Sequence, residues 1–332
     1  MDENKTKKIG KKALLVVIAI IIVILTILLY LELSGRFGNS VYLTSPIHQD
    51  SLATSTQVLD ISSVSRIPSG DSEIYAIDKN MKLTTIEKVA KELNLQQTKS
   101  ISGTYYQWGT DDGSNIIYSV PQNYFLLYSQ NGIALSNNVS SSTFSSFAKN
   151  YFGEDWQYSL KKEITLEDGS IKYLANRLTE DGTEINSTEE DYCTDYIIVK
   201  NNKLVGAKFL LTKFIKNAKL APLISYSDLQ KYINVSTYPK EFYPNLTFSE
   251  SSNLYGIDYN SDNYMDIVNS IDDCVANTVD LVYYYNSFSQ EYLTPVYKFG
   301  LTCDIKYKGE TTYINAISFV NAINPNYVKS ID

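Results

Sequence analysis

The longest uninterrupted apolar run lies near the start of the chain, where residues 13–31 read ALLVVIAIIIVILTILLYL with Thr26 as the one conventionally polar side chain. At about 1.5 Å rise per residue this run crosses a hydrocarbon layer of about 30 Å, inside which a helix satisfies its own backbone. The pattern predicts a transmembrane helix over 13–33. Residues 34–70 mix Ser, Thr and Gly with few charges and hold no sustained period, which reads as a stalk or extended arm. Periodicity returns in a strand-like stretch at 73–77. It then becomes helical over 83–95, where Ile86, Val89, Ala90 and Leu93 recur on one face and Thr84 and Glu87 stand at capping-box spacing.

Beyond that helix, alternating runs at 105–108, 116–120 and 124–128 are separated by Asp111-Asp112-Gly113 and followed by Gln130-Asn131-Gly132, both hairpin chemistry. A second helix, capped by Ser142 and carrying Phe144, Phe147, Ala148 and Tyr151, is expected to end at a left-handed Gly153. Strands follow again, punctuated by Glu167-Asp168-Gly169, Glu180-Asp181-Gly182 and Asn201-Asn202. Residues 71–220 therefore read as an α+β domain of two helix-plus-meander halves. A short helix at 227–233 and the prolines Pro239 and Pro244 mark a connecting segment over 221–252. The C-terminal α+β domain, 253–325, is expected to hold a helix at 262–271 and strands at 279–285, 293–307 and 311–319. Strand runs with single intervening helices give the fold class: α+β.

Charge orients this arrangement. The chain carries a net −8, yet residues 1–12 stand at +3, with five lysines against Asp2 and Glu3, leaving −11 on residues 13–332. By the positive-inside rule the tail 1–12 is cytoplasmic, so the protein is expected in the cell membrane as a single-pass chain with its body outside. A cleaved leader would have an apolar core of about 7–15 residues and a small-residue cleavage site. Residues 31–36 read LELSGR, so an uncleaved anchor is expected. The acidic body argues against nucleic acid as a partner, because phosphates demand a basic face. Cys193, Cys274 and Cys303 all follow the apolar run, where an oxidising compartment permits one disulfide. Cys274 with Cys303 is the expected pair; three unpaired, buried thiols are the alternative.

Composition limits the chemistry. His48 is the single histidine, and 26 Lys, 3 Arg and 28 Tyr reflect a bias that warns against reading each Tyr as functional. Ser159-Leu160-Lys161-Lys162 and Ser261-Asp262-Asn263 mimic motifs of the penicillin-recognising serine enzymes. The first sits in a charged, strand-like stretch rather than at a helix start, where its Lys would need to lose its proton. Asp258, Asn260, Asp262 and Asp266 hold positions 1, 3, 5 and 9 of a calcium-loop spacing, but Asn263 and Asn269 replace the Gly and bidentate Glu such a loop uses. Asp111, Asp112, Glu167 and Asp168 fall in turns, where carboxylates are solvated. No catalytic residue, cofactor or metal ligand is assigned. Tyr283, Tyr285, Tyr292 and Tyr297 form the candidate contact surface, by stacking on a sugar or peptide.

Residues 292–300, YLTPVYKFG, with 279–284, VDLVYY, before them and Ile314-Asn315-Ala316 after, resemble the closing strands of uncharacterised single-pass extracytoplasmic proteins of ultra-small uncultured bacteria. Residues 74–77, IYAI, leading into 85–93, TIEKVAKEL, resemble their opening. More distantly, the anchor and helix-and-meander body are similar to PepSY-like modules and to the bitopic accessory regulators of a cell-wall sensor kinase. That resemblance implies action by contact rather than catalysis. The expected function is a membrane-anchored extracytoplasmic binding or regulatory module, held through residues 13–33 and contacting a membrane or envelope protein or an envelope polymer. The rivals are an envelope hydrolase using carboxylates and a calcium-dependent adhesin centred on Asp258–Asp266.

Overall fold

In the computed structural model the described residues are 43–44, 58–135, 138–186, 194–235, 240–244, 253–254, 257–258, 266, 269–285, 290–307 and 309–329. The tail 1–12, the run 13–33, most of the arm 34–70, and His48, Cys193, Asn260 and Asp262 lie outside them. Among the described residues no helix is long and apolar enough to cross a membrane. Leu43–Asp332 cluster as one compact unit.

The chain passes from β1 (Leu43–Thr44) and β2 (Leu59–Asp60) to β3 (Asp71–Asp78) and helix α1 (Leu83–Glu92). A meander follows: β4 (Gln97–Ile101), β5 (Tyr105–Gly109), β6 (Asn115–Ser119) and β7 (Tyr124–Ala134). Helix α2 (Ser141–Phe147) continues into a π-helical turn at Ala148–Phe152. After it come β8 (Gln157–Thr165), β9 (Ile171–Leu178), β10 (Ile185–Asn186), β11 (Asp195–Lys200), β12 (Lys203–Leu210) and β13 (Lys213–Pro222). Helix α3 (Tyr226–Tyr232) precedes β14 (Lys240–Pro244), β15 (Asn253–Leu254) and β16 (Ile257–Asp258). The last elements are β17 (Ile271–Tyr284), β18 (Tyr292–Tyr307), β19 (Glu310–Asn321) and β20 (Val328–Lys329).

The fold is predominantly β, which corrects the α+β expectation. Two eight-stranded sheets dominate, and α1, α2 and α3 are 10, 7 and 7 residues long. The first sheet has the order β4-β5-β6-β7-β12-β11-β9-β8, antiparallel throughout. β7 pairs β12 with Phe125 opposite Phe209, so the two helix-plus-meander halves share one sheet. Helices α1 and α2 cover one face of it. The periodic residues Ile86, Val89 and Ala90 are buried, as are Phe144 and Phe147, and the Phe147 ring stacks on Phe209 with centroids 4.6 Å apart. Burial of each such ring contributes about 1.5–3 kcal/mol. The caps differ from those expected. Lys82 precedes α1, so Thr84 lies inside the first turn, and α2 opens at Ser140, whose backbone N–H donates to Thr143 Oγ1 at 3.1 Å. Gly153 ends the π-helical turn at φ 75°, as its spacing predicts.

The second sheet runs β10-β17-β18-β19-β14, with β2 added to β17 and a branch from the start of β18 through β3 to β13. Asp71–Asp78 and Lys213–Pro222 thus join the sheet of the last domain rather than that of residues 97–210. β17 extends back to Ile271, through IDDCVANT, where local alternation is weak; pairing with β18 and β2 makes the strand. Leu59, Ile61, Val64 and Ile67, in the expected arm, are buried against Tyr297, Phe299 and Leu301.

Candidate binding cleft

An opening of about 500 Å³ forms where β2, α3 and β17 meet. Its position follows from how β2 is docked. β2 lies parallel to β17, with Leu59 opposite Cys274 and Asp60 opposite Val275, and the Cys274 N–H donates to Val58 O at 3.1 Å. From the other side Asn234 clamps Leu59: its Oδ1 accepts from Leu59 N at 2.9 Å and its Nδ2 donates to Leu59 O at 3.2 Å. Helix α3 is held by the Ser225 Oγ, which caps it by accepting from Asp228 N at 3.2 Å. Tyr226 donates its hydroxyl to Ile61 O at 3.1 Å, and Gln230 Nε2 donates to the Tyr226 oxygen at 3.2 Å.

Val58, Ile233 and Val275 give the cleft apolar wall, while Asp60 and Asp273 bring two carboxylates and neither Lys nor Arg lines it. The Ser62 backbone N–H donates to Asp60 Oδ1 at 2.8 Å and holds the Asp60 carboxyl below its usual range, so it stays ionised. Directly behind the wall, Cys274 and Cys303 form a disulfide across opposed positions of β17 and β18, with Cα atoms 4.0 Å apart.

The expected aromatic contact surface is not there, because three of its four rings are core. Tyr283, Tyr285 and Tyr297 are 2%, 0% and 0% exposed, and Tyr292 is half-buried on the β18 start. Tyr283 donates its hydroxyl to Glu73 O at 2.7 Å and meets Ser72 Oγ at 3.1 Å; Tyr297 donates to Pro68 O at 2.8 Å. Burial pushes the Tyr283 phenol up to about 12 and raises Tyr75 and Tyr297 further. Alternation along β17 told which rings share a face, but β3 and β13 cover that face from far away in sequence.

The turn carboxylates sit as expected. Asp111 accepts from Gln107 Nε2 at 2.6 Å, and Asp168 accepts from the Ser170 N–H and hydroxyl and from Lys200 Nζ at 2.9 Å. The hydroxyl of Ser170 is the largest influence holding the Asp168 carboxyl well below its usual range. Ser159 lies in strand β8, not at a helix start. Of the calcium spacing, Asp258 lies in β16 and Asp266 is exposed and helical, while Asn260 and Asp262 fall outside the described residues. Among the described residues no group of three His, Cys, Asp or Glu converges.

One buried cluster escaped the sequence reading. Arg177 on β9 pairs with Asp195 on β11 at 3.4 Å, their side chains 6% and 3% exposed. The guanidinium also donates to Leu210 O and Thr212 O and lies 3.6 Å from the Trp156 ring centroid. Tyr158 donates to Asp195 Oδ2 and the Leu210 N–H to Asp195 Oδ1, both at 2.7 Å. Burial pushes the Asp195 carboxyl up, with Arg177 pulling the other way. A smaller opening of about 250 Å³ borders Arg177, Trp156 and Phe214. The available signal was rarity, since Arg occurs three times against 26 Lys.

No family model matches the chain, and no curated protein matches it in sequence. Among solved structures it is similar to an uncharacterized protein from Eubacterium rectale ATCC 33656, at 12% identity and TM-score 0.41, over 81% of this chain and 88% of that one. It is also similar to the Bacillus megaterium YpeB C-terminal domain, at 11% identity and TM-score 0.27, over 70% of this chain and 96% of that one. At these values neither neighbour carries a function over to this chain.

Proposed function

We propose that the chain is a membrane-anchored, extracytoplasmic binding or regulatory module that contacts a protein or envelope polymer through the cleft between β2, α3 and β17. The observation that carries this reading is the engagement of the cleft's own polar groups. Asn234 is committed to Leu59, Gln230 to Tyr226 and Asp60 to Ser62, so they fix the shape of the opening rather than shuttle protons. An ionised carboxylate beside aliphatic wall suits recognition, because it offers a fixed charge and apolar area together. The anchoring half of the proposal is supported by the apolar run at 13–31 and the five lysines ahead of it.

The test is a photo-crosslinking residue placed at Val58, which is 51% exposed at the cleft, in the native membrane. A control carries the same residue at Tyr128, 48% exposed on the first sheet. A discrete adduct from position 58 that is lost on Asp273→Lys, with none from position 128, is the expected result. Equal labelling from both positions, or none from 58, overturns it.

A further inference from the structure

The outer edge of β17 is only partly covered. β2 pairs it at Cys274 and Val275, and β10 pairs it at Tyr283 and Tyr284, both in parallel. Between these, residues 276–282 have no strand partner on that side among the described residues. Pairing with β18 is regular from Thr278 to Tyr284, and the Tyr283 N–H points outward to Glu184 O at 2.9 Å. Period two therefore turns the N–H and C=O of Leu281 and Val279 outward as well. The stretch reads ANTVDLV, without the Lys or Pro that commonly guard a strand edge. Its length is about 20 Å at roughly 3.3 Å per residue, room for an added strand of some five to seven residues.

We propose that this edge takes up an extended, lysine- or arginine-bearing peptide segment as an added strand, one cationic side chain of which enters the adjacent cleft between Asp60 and Asp273. The inference rests on the reading of the cleft as a contact site and names its partner. Two features select the occupant. Outward backbone groups on Val279 and Leu281 supply main-chain hydrogen bonds to an extended chain, whatever its sequence. The cleft at the Val275 end supplies the preference: its aliphatic wall of Val58, Ile233 and Val275 accommodates a methylene stem, and its two carboxylates meet a cationic head. An acidic peptide would place like charges together at that end.

The probe is the fluorescein-labelled hexapeptide TKVKTV, titrated into the full-length chain by anisotropy and followed by hydrogen exchange. Two comparison peptides are TEVETV and TKVKTV N-methylated on alternate amides. TKVKTV is expected to bind and to slow exchange in 279–281 at least about tenfold, about 1.4 kcal/mol. Binding is expected to weaken by a similar factor in the pair Asp60→Asn and Asp273→Asn, and with the N-methylated peptide, which leaves the protein unaltered. Equal binding of TEVETV, indifference to N-methylation, or no binding at about 1 mM overturns the proposal. A position-58 adduct in the membrane with unprotected 279–281 removes the added strand and leaves the cleft reading; loss of both removes both.

Discussion

Arg177, on β9, ties β11, β12 and the β12–β13 connection together through one guanidinium. Its carbonyl acceptors on Leu210 and Thr212 lie where β12 passes from the first sheet toward β13 in the second, and Asp195 sits beneath with Tyr158 as a second donor. A buried pair of this kind is costly to break from one side, because the remaining charge keeps its desolvation without its partner. Arg177→Ala is expected to cost about 3–5 kcal/mol in denaturant unfolding. Arg177→Lys keeps the charge but not the fork and is expected to lose less. An alanine variant as stable as the parent would show that the network contributes nothing. At this scale the sequence was legible where chemistry is local: Asp168 in its turn and Gly153 with positive φ both follow from neighbours a few residues away. Tyr283 and Tyr297 were not, because their acceptors, Glu73 O and Pro68 O, lie 210 and 229 positions distant.

Among elements, α1 and β17 mark the two extremes. Helix α1 announces itself through apolar residues at helical spacing, a signal carried wholly by its own ten residues. The first half of β17 has no such signal, with Asp272, Asp273 and Asn277 exposed, and becomes strand because β18 lies along it and β2 docks at Cys274. The disulfide fastens that half. Its loop spans 29 positions, for which the chain-entropy view gives about 3–4 kcal/mol of stabilisation. The double variant Cys274→Ala, Cys303→Ala is expected to lose about that much by urea titration, with β17 from 271 to 278 exchanging its amides faster. Unchanged stability would mean that pairing of β17 and β18 alone holds the cleft wall.

For the molecule as a whole, the question is whether two sheets unfold together. β3 and β13 are contributed to the second sheet by stretches that flank the first in sequence, and Leu211 and Thr212 between β12 and β13 are fully buried. Tyr75, Leu210, Tyr283, Tyr285 and Leu293 form a core at the junction. One cooperative transition is therefore expected. Trp108 and Trp156 report on the first sheet, and far-ultraviolet circular dichroism reports on both, so the two denaturation curves should coincide. Separated midpoints would show two units that fold apart. The sequence by itself determined the apolar run and its lysine flank, the amphipathic helix, the hairpin turns and the alternation of each strand's faces. All of these are written in spacings of a few residues, the range over which backbone geometry correlates neighbours. Only the tertiary structure decided which strand lies beside which, and hence that the fold is mainly β, that the tyrosines are core, and that Asp60 and Asp273 share a cleft. Those facts depend on pairings across many tens to about 200 residues, whose free energy comes from burial and ladder hydrogen bonds that no local pattern encodes.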